Sequence, residues 1–243
     1  YDSTVSTHPV PAYSSSLTTD RPFRFACFES ALSHPGLDPE IGNAVRNQAD
    51  KLRAQGHTVD LVPFDLLDYI VPAYYVLTTA EASSNLSRFD GVKFGHRTAD
   101  KNLSINEFYK KTRSAGFGWE VKRRIMLGTF VLSTGYYDAY YTRAQQVREL
   151  LCRQTASIFE SYDFIMIPTS PVTAFRIGEK MEDPIAMYLA DIYTVMANLV
   201  GCPAISLPLF KHSNGMPFGL QLMANRQDEV SLLQVSNRLM AEK

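Results

Sequence analysis

Cysteine is scarce in this chain of 243 residues, which holds only Cys27, Cys152 and Cys202. An odd number, widely spaced and without a C-x-x-C pair, excludes a disulfide framework and a zinc ribbon. The five histidines, His8, His34, His57, His96 and His212, are scattered too, and no H-x-x-x-H spacing sets two ligands on one helix face. No metal site is expected. Neither sign of charge is in excess: 24 Lys and Arg stand against 25 Asp and Glu, a formal net charge of −1. A chain that neutralises nucleic-acid phosphates by itself needs a net basic face, and no long basic run occurs. Long uncharged runs are few. The longest, residues 192–210, is interrupted by Gly201, Pro203 and Pro208, so it reads as a buried helix followed by a buried strand rather than a membrane span. No membrane partner is expected.

What is present is the composition of a globular protein, 45% hydrophobic and 20% charged. A chain of this size buries about 70% of its unfolded surface. The opening YDSTVSTHPVPAYSSSLTTD has no initiator Met, no basic n-region and no apolar h-region. It reads as a linker over residues 1–20, ahead of a domain over residues 21–243, and suggests a piece of a longer protein.

Hydrophobic periodicity then gives the fold class. Residues 23–28 read as an apolar strand. Asp38 is an N-cap candidate before Pro39, with Ile41, Val45, Ala49 and Leu52 at helical spacing and Gly56 as the stop. Residues 58–63 read as a second strand, completing a βαβ pattern. Residues 66–84 are helix-compatible, and two amphipathic helices are expected to meet near Ser133-Thr134-Gly135. Further strands are expected at residues 164–167, 204–207 and 218–223, with helices over roughly residues 185–200 and 229–240. The pattern predicts an α/β fold with a mixed, largely buried sheet flanked by helices.

Nucleophile motifs are missing. There is no G-x-S-x-G elbow, no S-x-x-K, no Gly-rich phosphate cradle and no G-x-G-x-x-G. Ser14–Ser16 and Ser83-Ser84 read as turn or cap residues, so no catalytic residue is assigned.

The segments YYVLTTAEASSNLSRFDGVKFGHR, EVKRRIMLGTFVLSTGYYDAYYTRAQQVR, PTSPVTAF and ANLVGCPAISLP with PFGLQLMA carry a resemblance over nearly the whole chain. They resemble the C-terminal half of one group within the amidase signature family, the A subunits of glutamyl-tRNA(Gln) amidotransferases. The resemblance implies a serine attacking the glutamine carboxamide, activated through a cis-serine and a lysine in a Gly/Ser-rich signature. These 243 residues hold no such signature, so the chain alone is expected to be inactive. The ammonia released would serve conversion of Glu-tRNA(Gln) to Gln-tRNA(Gln). The resemblance further implies two amidotransferase partners, a B subunit that uses ATP and magnesium and a C subunit that holds the assembly together. It also implies contact with tRNA(Gln) mainly through the complex, and a cytoplasmic location. No cofactor is expected in this chain itself.

Glutamine recognition calls for a cation, an anion and a shaped wall. The resemblance assigns Arg124 to the α-carboxylate, Asp191 to the α-ammonium and Tyr75 to the pocket wall. Each has a rival reading from the residues alone. Arg124 belongs to the run Lys122-Arg123-Arg124 and could be a solvated helix face. Asp191 lies in an apolar stretch, where a buried carboxylate needs a partner, or else on a helix surface. Tyr75 stands next to Tyr74, and either ring could be core. Another amidase-signature hydrolase, or a noncatalytic binding or assembly module, remains an alternative. A missing half of a shared core would also leave an exposed apolar surface.

Overall fold

The structure, a computed structural model, describes residues 5–179 and 190–242. The chain divides into two compact units, a sheet unit from Tyr1–Asp68 with Leu151–Lys243 and a helical unit from Tyr69–Leu150. The sheet unit opens with β1 (Arg24–Phe28), α1 (Glu29–Leu32), α2 (Pro39–Ala54) and β2 (Thr58–Val62). Next come α3 (Leu67–Asn85), α4 (Ile105–Gly116), α5 (Trp119–Val131), a π-helical stretch at Asp138–Thr142, and α6 (Arg143–Phe159). The sheet unit is completed by β3 (Phe164–Pro168), α7 (Val195–Val200), β4 (Ala204–Lys211), β5 (Pro217–Ala224) and α8 (Glu229–Ala241).

Local chemistry explains the βαβ unit. The Asp38 side chain accepts the Glu40 N–H at 2.8 Å and Pro39 supplies a preset φ, so α2 starts where the sequence indicates. Ile41, Val45, Ala49 and Leu52 all point into the core. Gly56, at φ +87°, turns the chain into β2, which runs parallel to β1 with Val59 opposite Phe25.

The sheet has the order β2-β1-β3-β5-β4. β1 is parallel to both β2 and β3, whereas β5 is antiparallel to β3 and β4, so the sheet is mixed as expected. Alternation sends Phe25, Phe164, Met166, Leu220 and Leu222 to one face, where they form a core with Val45 and Leu52 of α2 and Leu232 and Val235 of α8. The opposite set, Ala26, Phe28, Ile165, Ile167 and Met223, is equally inaccessible. On that side Tyr193 donates its hydroxyl to the Ala31 carbonyl at 2.9 Å, and Gln221 donates to the Tyr193 carbonyl at 3.0 Å.

Two elements differ from the expected pattern. Of the helix expected over residues 185–200, residues 195–200 are helical and residues 190–194 form a turn, while residues 180–189 lie outside the described residues. The buried Tyr193 contact, a tertiary constraint, holds that turn. β4 extends through Pro208 to Lys211, with a register shift between Leu207 and Phe210. An edge strand tolerates a proline because one side of its ladder is unpaired.

In the helical unit, α4 has no counterpart in the periodicity reading. It begins with a capping box in which Glu107 N–H donates to Ser104 Oγ at 3.3 Å and Ser104 N–H donates to Glu107 Oε2 at 3.0 Å. α3 and α5 touch through Gly128, whose bare Cα rests against the Thr79 carbonyl, and through a hydrogen bond of 3.0 Å between the Ser83 and Thr129 hydroxyls. α5 leaves Trp119, Met126, Leu127 and Phe130 exposed.

Candidate functional site

Arg124 lies on α5 within a run of three basic residues whose environments differ. Lys122 Nζ donates to the Ser114 carbonyl at 2.7 Å. Arg123 grips Glu120 through both Nε, at 3.0 Å, and Nη2, at 2.9 Å. Arg124 shares Glu120 only through Nε, at 3.2 Å, and among the described residues its two Nη groups make no hydrogen bond. The Arg123 hydrogen bond, followed by the charges of both arginines, holds the Glu120 carboxyl below its usual range. Glu120 is thus an anion shared by two guanidiniums, which leaves one positive charge over. The half-exposed side chain of Arg124 presents the uncommitted edge of its fork, a shape that suits a carboxylate bidentately. Glu120 was missed in the sequence reading, although its spacing of four residues before Arg124 is the signal for a helix ion pair.

Tyr75 lies on α3, half-buried, with its ring edge-on to Tyr74 at a centroid distance of 5.5 Å. Its carbonyl accepts the Thr79 hydroxyl at 2.7 Å. Tyr75 and Arg124 each stand one helical turn ahead of the Thr79–Gly128 contact on their own helices.

Asp191 belongs to the sheet unit and is exposed, not buried in the apolar stretch around it. The neighbouring Ile192 and Tyr193 take up the burial instead. The Asp191 backbone carbonyl accepts the N–H groups of Thr194 and Val195, at 3.1 and 3.2 Å, and so fixes the turn that leads into α7. Among the described residues its carboxylate makes no hydrogen bond.

A cleft of about 650 Å³ in the helical unit is lined by Arg97, Asp100, Lys101, Phe108 and Tyr109, and includes neither Arg124 nor Tyr75. Among the described residues no group of three or more His, Cys, Asp or Glu side chains could hold a metal ion. No helix among them is long and apolar enough to cross a membrane.

Comparison with known proteins decides the family, because the family model described as Amidase matches residues 1–233. The chain belongs to the amidase signature family. Within that family it is 50% identical, over 98% of its own length, to the A subunit of glutamyl-tRNA(Gln) amidotransferase from Brevibacillus brevis. It is 44% identical to the same protein of Bdellovibrio bacteriovorus, over 97% of its length. The crystal structure of the A subunit from Thermotoga maritima superposes with a TM-score of 0.69 at 33% identity, covering 97% of this chain and 46% of that one. The 6-aminohexanoate cyclic dimer hydrolase, at 21% identity and a TM-score of 0.72 over 96% of this chain and 48% of its own, shares the amidase fold. The chain spans about half the length of the curated relatives it matches, 48% of the Brevibacillus protein and 49% of the Bdellovibrio one.

Proposed function

We propose that the chain is the glutamine-recognising C-terminal portion of the glutaminase component of a glutamyl-tRNA(Gln) amidotransferase. In this reading Arg124 holds the α-carboxylate of glutamine, Asp191 holds the α-ammonium, and Tyr75 lines the pocket wall. A free amino acid carries both charges, so a site for it needs both counter-charges, whereas a fatty or aromatic amide would leave them unpaired at a cost. The observation that carries the reading is Arg124, whose open fork stands out from two engaged basic neighbours on a chain 50% identical to such a component.

The nucleophilic serine, cis-serine and lysine belong to sequence other than these 243 residues, so the chain by itself does not hydrolyse glutamine. In the assembled enzyme the ammonia passes to the B subunit, which uses ATP and magnesium to convert Glu-tRNA(Gln), while the C subunit holds the assembly together. tRNA(Gln) is met mainly through the complex, in the cytoplasm.

The test is steady-state glutaminase kinetics of the whole amidotransferase carrying Arg124→Ala or Asp191→Ala. Loss of one charge-assisted contact is expected to raise KM for glutamine about ten- to a hundredfold. Unchanged KM and kcat in both variants would remove these residues from the site. Faster turnover of an uncharged alkyl amide than of glutamine by the unmodified enzyme would instead identify another amidase-signature hydrolase.

A further inference from the structure

Away from the candidate glutamine residues, two of the three cysteines lie at the C-terminal end of α7. Cys152 of α6 directs its Sγ to the Leu199 carbonyl at 3.8 Å. Gly201, in the left-handed conformation at φ +70°, reverses the chain so that the Cys202 N–H donates back to the Ala197 carbonyl at 3.2 Å. Cys202 is thereby returned to the helix end that Cys152 touches. Arg226 joins the two. Its Nε and Nη2 donate to the Val200 carbonyl at 2.9 and 2.6 Å, and Nη2 lies 3.6 Å from Cys152 Sγ. The Arg226 charge also acts on the Cys202 thiol.

The environments of the three cysteines are unequal. Cys152 and Cys202 are partly accessible, whereas Cys27 is sealed inside the sheet core. Burial pushes the Cys27 thiol up to about 12, which keeps it protonated and inert. Burial also raises the Cys202 thiol, but there the Arg226 charge opposes it.

We propose that Cys152 and Cys202 form a redox-active dithiol, a modification site that hydrogen peroxide converts to a disulfide. The Cys152 sulfur attacks one peroxide oxygen and the O–O bond breaks. Cys152 becomes a sulfenic acid, and the second oxygen leaves as water with the proton of the Cys152 thiol. The Cys202 sulfur then attacks the sulfenic sulfur, the S–S bond forms, and the hydroxyl leaves as a second water with the Cys202 proton. Two thiols are oxidised and one peroxide is reduced to two waters. The Arg226 cation stabilises negative charge on the sulfurs in both displacements. The resulting bond would anchor Cys152 to the C-terminal end of α7, whose preceding turn carries Asp191.

The experiment treats the folded protein with hydrogen peroxide, blocks remaining thiols with iodoacetamide and maps peptides by mass spectrometry without reduction. The expected product is a linked Cys152–Cys202 peptide pair, lighter by two hydrogens than the two thiol peptides and separated by dithiothreitol. Cys27 should be alkylated only after denaturation. In Cys202→Ser the pair should vanish and Cys152 should accumulate as a sulfenic acid that dimedone labels. Separate alkylation of Cys152 and Cys202 after peroxide treatment would overturn the proposal, as would linkage of either to Cys27 in equal yield.

Discussion

Gly128 of α5 meets the Thr79 carbonyl of α3 so closely that no side chain fits between them: a Cβ built on Gly128 would overlap the carbonyl and stand 2.6 Å from Ser83 Cβ. The obstacle is backbone, which cannot swing aside as a flexible side-chain tip can. Gly128→Ala is therefore expected to destabilise the helical unit by about 3 kcal/mol, the upper end of ordinary overpacking costs. Gly118→Ala, where a Cβ meets nothing within 4 Å, is the control and should be close to neutral. Urea denaturation followed by circular dichroism measures both, and equal midpoints for the two variants would refute the close-contact argument.

The Arg124 fork gives a sharper kinetic test than its removal. Arg124→Lys keeps the charge but loses the planar pair of donors, so KM for glutamine in the whole enzyme should rise about tenfold with kcat little changed. A lysine variant as good as the parent would mean that only a point charge is used.

The choice between Tyr75 and Tyr74 can be settled with hydroxyl deletions. Their rings pack edge-on, and a phenylalanine preserves that contact at either position. Tyr75→Phe is expected to raise KM for glutamine about fivefold, the worth of one neutral hydrogen bond, while Tyr74→Phe leaves it unaltered. The reverse pattern would transfer the wall to Tyr74.

Buried Tyr193 ties the second face of the sheet to α1 through the Ala31 carbonyl. Its hydroxyl is pushed above the ordinary tyrosine range by burial, so it remains a donor at any working pH. Tyr193→Phe strands the carbonyl and should cost about 1–2 kcal/mol. Denaturant midpoints of the two proteins provide the check.

His57 makes stability depend on pH. It is buried, stacked on Phe23 at 5.8 Å, and its Nδ1 accepts the Phe23 N–H at 2.9 Å, a bond that requires an unprotonated Nδ1. Desolvation, followed by the nearby Arg238 charge, lowers its pKa below the ordinary value. Above an unfolded histidine pKa of about 6.5 both states are neutral and no dependence is expected. As pH falls through that value the unfolded chain takes up the proton first, so stability drops and levels off below the folded pKa. Urea midpoints between pH 7.5 and 5 should decline, and His57→Gln should flatten the decline even if its stability at pH 7.5 is lower.

Much of the sheet unit was legible because its signals are local. Asp38-Pro39 fixed the start of α2, Gly56 its end, and short apolar runs marked all five strands. α4 escaped the periodicity reading, yet its Ser104–Glu107 capping box stands in the sequence as an S-x-x-E pattern. The turn at residues 190–194 was not legible, since it goes with Tyr193 reaching Ala31, far away along the chain. At the candidate site, residue types suggested the charges, but exposure did not: Asp191 sits in apolar sequence and still faces solvent.

By itself the sequence determined the mixed α/β character, the family resemblance and the identity of the charged candidates, because periodicity, caps and motif spacing act over a few residues. Only the tertiary structure decided which glycine must stay bare and which two cysteines gather around one guanidinium. Those outcomes depend on partners distant in the chain, whose proximity is set by how helices and strands pack rather than by any local preference.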